Sequence, residues 1–323
     1  MFFPVKYFGW LQGFLILLVS GPALAGDLKL TPIQVGPNAY YFQGEAGMAT
    51  AANKGYMSNA GFVVTDEGVV VFDALATPAL GKAMRDAIRK VTNRPIKIIV
   101  VSHYHADHFY GLQELKSGGA EIWAHKNEHA TLLSDSTQER LKQRKADLSP
   151  WVDDKTTLLP ADKWLSFENG KTLPFSLGGK NFKIVDASGA HSPGDVMLYA
   201  EEGGILFAGD LFFTGRIPFV GNADSGAWLA TLEELLKLDP KLVVPGHGPY
   251  SKEPTKDMQL TKDYLIFLRK EMSQAVEAML TFEEAYQNVD WSRFKNYPAF
   301  TQANRINAYG TFLLMERESL AKK

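Results

Sequence analysis

His103-Tyr104-His105-Ala106-Asp107-His108 decides how this chain is interpreted, because it places four metal-binding side chains within six residues. Imidazole and carboxylate are the ligands that zinc accepts where thiolate is absent, and the chain contains no cysteine. A bend between a strand and a helix would aim His103 and His105 to one side and Asp107 and His108 to the other. This stretch, called the HYHADH segment below, therefore predicts two adjacent metal sites.

The HYHADH segment follows a predicted buried strand and precedes a short predicted helix. The apolar run at residues 96–101 is typical of a strand buried on both faces. Residues 111–116 favour a short helix. Further upstream, residues 59–65 and 69–72 are predicted to be two strands joined by a turn. Thr77-Pro78 then begins a helix, with proline in its first turn.

The remainder of the chain adds more strands and then a helical tail. Strand signals occur at residues 121–123, 172–177, 182–186, 196–199, 205–208 and 242–244. Helices are predicted at residues 125–147 and 226–238. These patterns predict an α/β (α+β) protein with two layers of strands and helices outside them. The candidate ligands follow strands, so loops at one edge of the sheets would carry the site.

Three single residues complete the candidate set. His191 lies in a predicted turn after a strand, Asp210 ends the apolar strand that precedes it, and His247 is flanked by two glycines. Glycine lets the backbone approach a ligand closely. A lone histidine in a turn is more often structural. Their order after the HYHADH segment reverses that balance and favours metal binding.

In this order the candidate residues resemble the metallo-β-lactamase superfamily over roughly residues 30–250. The resemblance implies a four-layer αββα sandwich holding two Zn²⁺ ions, with iron or manganese as open alternatives. One metal would be bound by His103, His105 and His191, and the second by Asp107, His108 and His247. Asp210 would bridge both metals.

Asp210 also indicates a branch of the superfamily. The true zinc β-lactamases generally carry cysteine or serine there, whereas a bridging aspartate is similar to the glyoxalase II, lactonase and nuclease branches. A β-lactam substrate is therefore possible but not favoured. Flavodiiron proteins have glutamate in place of His105. Residues 254–323 are predicted to be a helical extension packed on a catalytic domain at 26–253, and they resemble exported metallohydrolases of quinoprotein or sulfur-oxidation systems.

Residues 1–25 have the pattern of a secretory signal peptide. Lys6 supplies a positive charge, a short apolar run follows, and Ala23-Leu24-Ala25 is typical of a cleavage site. The mature protein is expected to be periplasmic or secreted, without stable membrane insertion. A buried helix or an uncleaved anchor is the alternative.

The function predicted from these residues is hydrolysis of a small ester, lactone, thioester or amide by a metal-bridging hydroxide. Asp107 and Asp210 would act in catalysis as well as in metal binding. Two alternatives remain: a mononuclear iron oxygenase of the persulfide-oxidising type, and a non-catalytic metal-binding protein. The net charge of −2 and the lack of a basic run argue against a nucleic-acid partner. The expected partner is a small molecule, and the oligomeric state stays open.

Several residues near these ligands have weaker predicted roles. Asp73 ends a strand, where it would either orient a ligand imidazole or cap a turn. Residues 44–59 would form a flap beside the metals. Arg216 is expected to bind either a substrate carboxylate or a structural acid, and Tyr104 is a candidate oxyanion donor. The two leftover histidines, His125 and His129, are interpreted as structural.

Overall fold

The computed structural model describes residues 28–167 and 171–321. Within these residues two β-sheets pack face to face between two layers of helices. The predicted signal peptide at residues 1–25 lies outside the described part of the chain. Across that part, no helix is both long enough and apolar enough to span a membrane.

The first sheet contains seven strands in chain order: β1 (Ile33–Gly36), β2 (Ala39–Phe42), β3 (Ala60–Val64), β4 (Val69–Phe72), β5 (Ile96–Val100), β6 (Glu121–His125) and β7 (Lys163–Leu165). The pairs are antiparallel up to β4 and parallel from β4 to β7. The helices beside it are α1 (Pro78–Val91), α2 (Ala106–Phe109), α3 (Leu112–Leu115), α4 (Glu128–Leu133) and α5 (Asp135–Asp147). Helix α1 begins where predicted, since the Thr77 hydroxyl accepts the Leu80 amide at 3.2 Å.

The second sheet has five strands in the spatial order β12-β11-β10-β9-β8. They are β8 (Thr172–Leu177), β9 (Lys180–Asp186), β10 (Val196–Ala200), β11 (Ile205–Phe213) and β12 (Leu242–His247). Helix α6 (Ser225–Lys237) connects β11 to β12, which makes this pair parallel. The chain then continues through α7 (Pro254–Asp257), α8 (Gln259–Glu277), α9 (Phe282–Asn288) and α10 (Phe300–Ala321).

Alternating side chains on the strands build three apolar layers. In β4, Val69 and Val71 face the helices, whereas Val70 and Phe72 face the other sheet. In β11, Leu206 packs towards the outer helices on the other side of the molecule. The apolar run of β5, predicted to be buried on both faces, alternates between the same two layers. The αββα sandwich is confirmed.

The C-terminal helices pack on the outer face of the second sheet and also contact a loop near the candidate site. Asn307 on α10 accepts the Val220 and Gly221 amides at 2.8 and 3.2 Å, and it donates to the Pro218 carbonyl at 2.9 Å. A Cβ atom on Gly310 would lie 1.7 Å from the Gly221 carbonyl oxygen. The backbones of helix and loop are therefore in direct contact.

Strands β1, β2 and β7 were not predicted from the sequence. Each has only three or four residues and lies at or near an edge of the first sheet. β4 is equally short but has a continuous valine run, whereas these three segments have neither such a run nor enough residues for an alternation. Strand β11 is also longer than predicted, because it continues through Asp210 to Phe213 with an irregularity at Gly209.

Candidate metal centre

The predicted ligands meet at one edge of the two sheets. The HYHADH segment follows β5, and its last residues form α2. His191 lies in the connection between β9 and β10, called the His191 loop below (residues 187–195), and His247 is the last residue of β12. Asp210 was predicted at a strand end, but it lies inside β11. The register with β12 shifts at Gly209, and the Asp210 carboxylate reaches the other candidate ligands from within the strand.

The first group contains His103, His105, His191 and Asp210, whose possible ligand atoms all lie within 4.8 Å of one another. His191 Nε2 is 3.0 Å from His105 Nδ1 and 3.4 Å from Asp210 Oδ2. The three imidazole rings are perpendicular to one another within about 12°, with centroids 4.5 to 4.9 Å apart. The nitrogens therefore converge on one small volume.

The second group contains Asp107, His108 and His247. Asp107 Oδ2 lies 3.5 Å from His108 Nε2 and 3.3 Å from His247 Nε2. Asp210 Oδ1 reaches the same two nitrogens, at 3.1 and 3.3 Å. One oxygen of Asp210 thus faces each group, which is the arrangement expected of a bridging carboxylate.

The donor atoms fit divalent metal ions. Among the described residues, His103 Nε2, His108 Nε2, Asp107 Oδ2 and Asp210 Oδ1 are buried without a hydrogen-bond partner. Such atoms are costly unless something else satisfies them. Ligands 2.0–2.1 Å from a tetrahedral zinc ion are about 3.3 Å apart, close to the separations seen in both groups. A set of histidine and aspartate donors without cysteine is also one that zinc accepts.

Three imidazoles are oriented by hydrogen bonds on the side away from the site. His108 Nδ1 donates to Asp73 Oδ2 at 2.8 Å, and His247 Nδ1 donates to the Met57 carbonyl at 2.8 Å. His103 Nδ1 lies 2.9 Å from Ser102 Oγ, which itself donates to Asp73 Oδ2 at 2.8 Å. Each bond leaves the Nε2 lone pair directed into the site. Asp73 therefore makes the imidazole contact proposed for it from the sequence.

The electrostatics of the two groups differ. Burial and the neighbouring imidazoles lower the pKa of His103 well below its usual value, and burial lowers the pKa of His191 to about 3. Burial would raise the pKa of Asp107 and Asp210, but His108 and His247 outweigh it and hold both carboxyls well below their usual range. The first group thus offers neutral imidazoles, and both carboxylates are ionised.

Gly246 allows the Asp210 carboxylate to occupy its place. A Cβ atom on Gly246 would lie 2.1 Å from Asp210 Oδ1. The sequence predicted that a glycine beside His247 allows the backbone to approach a ligand closely. Gly246 does allow such a close approach, but the group it approaches is the Asp210 carboxylate of the protein itself. Gly248 approaches the Thr214 backbone instead, and its φ of +92° favours glycine.

The flap segment, residues 44–59, contacts the second group directly. Besides the Met57 carbonyl, it contributes Asn59, whose side chain donates to the Pro245 and Gly248 carbonyls at 2.8 and 2.7 Å. The Asn59 side-chain oxygen accepts the Gly44 amide at 3.0 Å. Asn59 thus ties the flap segment to the turn that carries His247. Sequence reasoning did not assign this role, because nothing around Asn59 distinguishes it from an ordinary turn residue.

The structure places the remaining candidates as follows. The Tyr104 hydroxyl donates to the Leu159 carbonyl at 3.2 Å and its ring packs in the helix-side core, so the oxyanion role considered for it is wrong. Phe213 stacks on His247, with ring planes 5° apart. His125 accepts the Asn127 amide, and His129 packs against Trp164. Neither histidine belongs to a described metal-ligand group.

Arg216 is buried beside the second group, with 1% of its surface exposed. Its Nη1 donates to the Gly47 carbonyl at 3.1 Å, its Nε to the Ile217 carbonyl at 3.3 Å, and its Nη2 contacts Met48 Sδ at 3.8 Å. Its Nη1 also lies 3.4 Å from His247 Nδ1. In the described chain, no carboxylate forms an ion pair with it within 4.0 Å. The structural ion pair considered for Arg216 is therefore not formed.

A two-sheet αββα sandwich with histidine and aspartate groups at one sheet edge defines a class of metal-binding proteins. Residues 53–247 match the profile of the metallo-beta-lactamase superfamily. The chain belongs to the metallo-beta-lactamase superfamily, as the resemblance predicted.

Curated relatives of this superfamily have varied activities. Hydroxyacylglutathione hydrolase GloC of Haemophilus influenzae is 31% identical over 161 residues, which cover 48% of this chain and 70% of that protein. Linear primary-alkylsulfatase of Pseudomonas sp. is 20% identical over 259 residues, covering 69% of this chain and 48% of the enzyme. The chain thus spans about half the length of the alkylsulfatase.

Solved structures are similar in fold. The sec-alkylsulfatase Pisa1 from Pseudomonas sp. has a TM-score of 0.67 at 18% identity and covers 88% of this chain and 50% of its own. A metallo-beta-lactamase from Pontibacter korlensis has a TM-score of 0.58 at 19% identity, and the match covers 74% of this chain and 99% of that lactamase. Residues before Pro254 amount to less than 88% of the chain. The Pisa1 similarity therefore includes part of the C-terminal helices.

Proposed function

We propose that the chain is an exported dinuclear zinc hydrolase that cleaves a small ester, lactone, thioester or amide carrying an anionic group. The observation that supports this most directly is the position of Asp210. Its two oxygens face two complete donor groups, so a pair of metals could share one carboxylate. Its bridging role and the seven-ligand assignment are part of the proposal.

Two bound divalent ions would polarise the scissile carbonyl and lower the pKa of water to near neutrality. The chain's own residues hold and orient the reactants around that chemistry. The Asp107 carboxylate, kept ionised by His108 and His247, is able to accept a hydrogen bond from attacking water. The hydrogen bonds of Asp73 and Met57 keep His108 and His247 from rotating out of position.

Arg216 supports an anionic substrate. A guanidinium stays protonated at any physiological pH, and burying it without a carboxylate partner costs free energy. Its strongest acceptors are two backbone carbonyls, and its Nη2 faces only a thioether, which is a weak acceptor. A carboxylate or sulfate on the substrate would provide the missing counter-charge if the flap residues Gly47 and Met48 moved aside.

The first experiment combines metal analysis with a hydrolysis screen of residues 26–323. In one preparation, the zinc content per chain is measured together with turnover of lactones, thioesters, alkyl sulfates, β-lactams and phosphodiesters. Two zinc ions per chain and turnover of at least one of these substrates are expected. His105→Ala should lose most activity and part of the zinc, whereas His129→Ala, the same change outside the site, should lose neither. One iron per chain would favour the persulfide-oxidising alternative, and full zinc loading with no turnover would favour a binding protein.

The second experiment tests the anionic group. Arg216→Met should lower kcat/KM for an anionic ester by about 10–100-fold, the size of a lost charge-assisted hydrogen bond. For the same ester with its anionic carboxylate blocked as a neutral methyl ester, the change in kcat/KM should stay within about threefold. Equal losses on both substrates would assign Arg216 to the flap segment alone.

Amino-terminal sequencing of protein recovered from the periplasm or medium tests export, with Gly26 or Asp27 expected first.

A further inference from the structure

Two buried carboxylates lie close to the two segments that supply the imidazoles of the first group. Glu128, at the start of α4, is completely buried, and Asp195 at the end of the His191 loop is 3% exposed. Neither is one of the seven proposed ligands. In the described part of the chain, neither forms an ion pair with a lysine or arginine. Burying two carboxyl groups without a cationic partner costs free energy.

Glu128 connects the HYHADH segment to the His191 loop. Its Oε2 accepts the backbone amide of Tyr104, between His103 and His105, at 3.0 Å. Its Oε1 lies 3.1 Å from the hydroxyl of Ser192, the residue after His191. One side chain thus holds both segments that supply the imidazoles of the first group.

The hydrogen bonds around the Ser192 hydroxyl point to one extra proton. Ser192 Oγ lies between Glu128 Oε1 and Asp195 Oδ1, which is 2.7 Å away, but its hydroxyl has a single hydrogen to donate. Asp195 Oδ2 is already occupied as the acceptor of the Ser192 amide at 2.6 Å. If Asp195 carries a proton on Oδ1, it donates to Ser192 Oγ, and Ser192 then donates to Glu128. The other lone pair of Ser192 Oγ accepts the Gly194 amide at 3.3 Å, so every donor and acceptor around this hydroxyl has a partner.

We propose that Glu128 is a positioning residue for the metal centre, and that Glu128 and Asp195 share one proton through Ser192. The inference rests on the proposed metal-binding function of His103, His105 and His191. It extends that function by naming what fixes the distance between the two ligand segments. Burial also raises the pKa of Asp195 well above its usual value, in agreement with a proton on that carboxyl.

The spacing at this contact leaves little room for adjustment. A Cβ atom on Gly194 would lie 2.8 Å from Glu128 Cγ and 3.0 Å from His125 Nδ1. The His191 loop therefore packs directly on the start of α4. A more exposed link joins the same segments, since Asn127 Nδ2 donates to the Pro193 carbonyl at 3.0 Å. Asn127 provides a control that removes a link without altering the buried carboxylates.

A double-mutant cycle tests the shared proton. Asp195→Asn replaces the protonated acid by a neutral group of the same shape, so zinc affinity should stay within about threefold. Glu128→Gln should also be mild, because its amide can donate to Ser192, which then donates to an ionised Asp195. Together the two changes leave the Ser192 hydroxyl facing two side-chain donors as well as the Gly194 amide, with no acceptor for its own hydrogen. The double variant should lose about 10–100-fold in zinc affinity, and Asn127→Ala should lose none.

The measurements distinguish this inference from the proposed function. Zinc affinity is measured by competition with a chromophoric chelator, and thermal unfolding of the zinc-free protein reports folding. Infrared difference spectra should contain one protonated-carboxyl band that both single variants remove. These readouts need no substrate, so failure to find activity would not affect them. Glu128→Ala, which removes the link between the two ligand segments altogether, serves as the reference for a damaged centre. A double variant no worse than the product of the singles, or an Asp195→Asn variant whose zinc affinity falls as far as that of Glu128→Ala, would overturn the proposal. If the double variant does not fold, the infrared result decides.

Discussion

The HYHADH segment and the three distant residues His191, Asp210 and His247 reach the same site by different means. In the segment, one bend after β5 orients four neighbouring side chains. The distant residues depend on the pairing of β11 with β12, on close approach at Gly246, and on contacts of the His191 loop. Ligands close in sequence are therefore set locally, whereas the distant ones are set by packing between elements.

Among the distant ligands, a substitution of Asp210 is expected to have the largest effect on metal binding and activity. Asp210→Asn keeps the shape of the side chain but removes the charge that faces both groups. We expect zinc content to fall at both sites, and activity to fall by more than the roughly 10–100-fold typical of a lost outer-shell partner. Metal analysis and kcat/KM measure this. Retention of two zinc ions per chain would show that Asp210 does not bridge.

Gly246→Ala tests whether packing alone controls a distant ligand. The new methyl group would overlap Asp210 Oδ1, so the carboxylate must move. A displacement of about 1 Å can cost about 100-fold in rate, and we expect a loss of that order in kcat/KM. Gly118→Ala is the matched control, because a Cβ atom there meets nothing within 4 Å. Equal behaviour of the two variants would contradict this account.

Asp73→Asn should have a smaller effect, and chiefly on the second group. Asparagine tolerates the positive φ of +62° at this position, so the backbone should be retained. His108 would lose the carboxyl oxygen that accepts its Nδ1 hydrogen, and we expect about 10–100-fold weaker binding of one zinc ion of the two. Stepwise chelator titration separates the two ions. Equal weakening of both would instead assign Asp73 to the whole site through Ser102.

Asn307→Ala has the smallest expected effect on activity, because it acts from the C-terminal helices. It removes the acceptor for the buried Val220 and Gly221 amides, which should cost about 1–3 kcal/mol of unfolding free energy. Activity should fall only severalfold, as the loop that includes Arg216 loosens. Urea unfolding and kcat/KM measure the two effects. Unchanged stability would indicate that water replaces the asparagine.

The sequence predicted the parts of the molecule that have a local pattern. The HYHADH segment, the capped start of α1 and the apolar strands β4 and β5 were identified because their residues are adjacent or periodic. The αββα sandwich is confirmed, although the resemblance supplied its layer order. The domain boundaries and the metal-ligand roles stay predictions.

The supporting residues could not be predicted in the same way. Asn59, Ser102 and Glu128 act through partners at long sequence separation or through backbone atoms, for which no spacing rule exists. The oxyanion role considered for Tyr104 was wrong because the sequence does not show which way a side chain points. The Tyr104 ring points away from the metal-ligand groups and packs in the core beside the helices. The interior position of Asp210 was missed because β11 continues past a register irregularity with β12, which no local pattern indicates.

The contact between Gly310 and Gly221 has a consequence for protein engineering. Because the backbones of α10 and of the loop at residues 214–224 touch there, this loop and the C-terminal helices have to be exchanged as one unit. A loop with a different backbone path would no longer match Gly310, where a side chain on the helix would collide with the Gly221 carbonyl. Successful recombination between relatives should therefore require crossovers that transfer residues 214–224 together with α10.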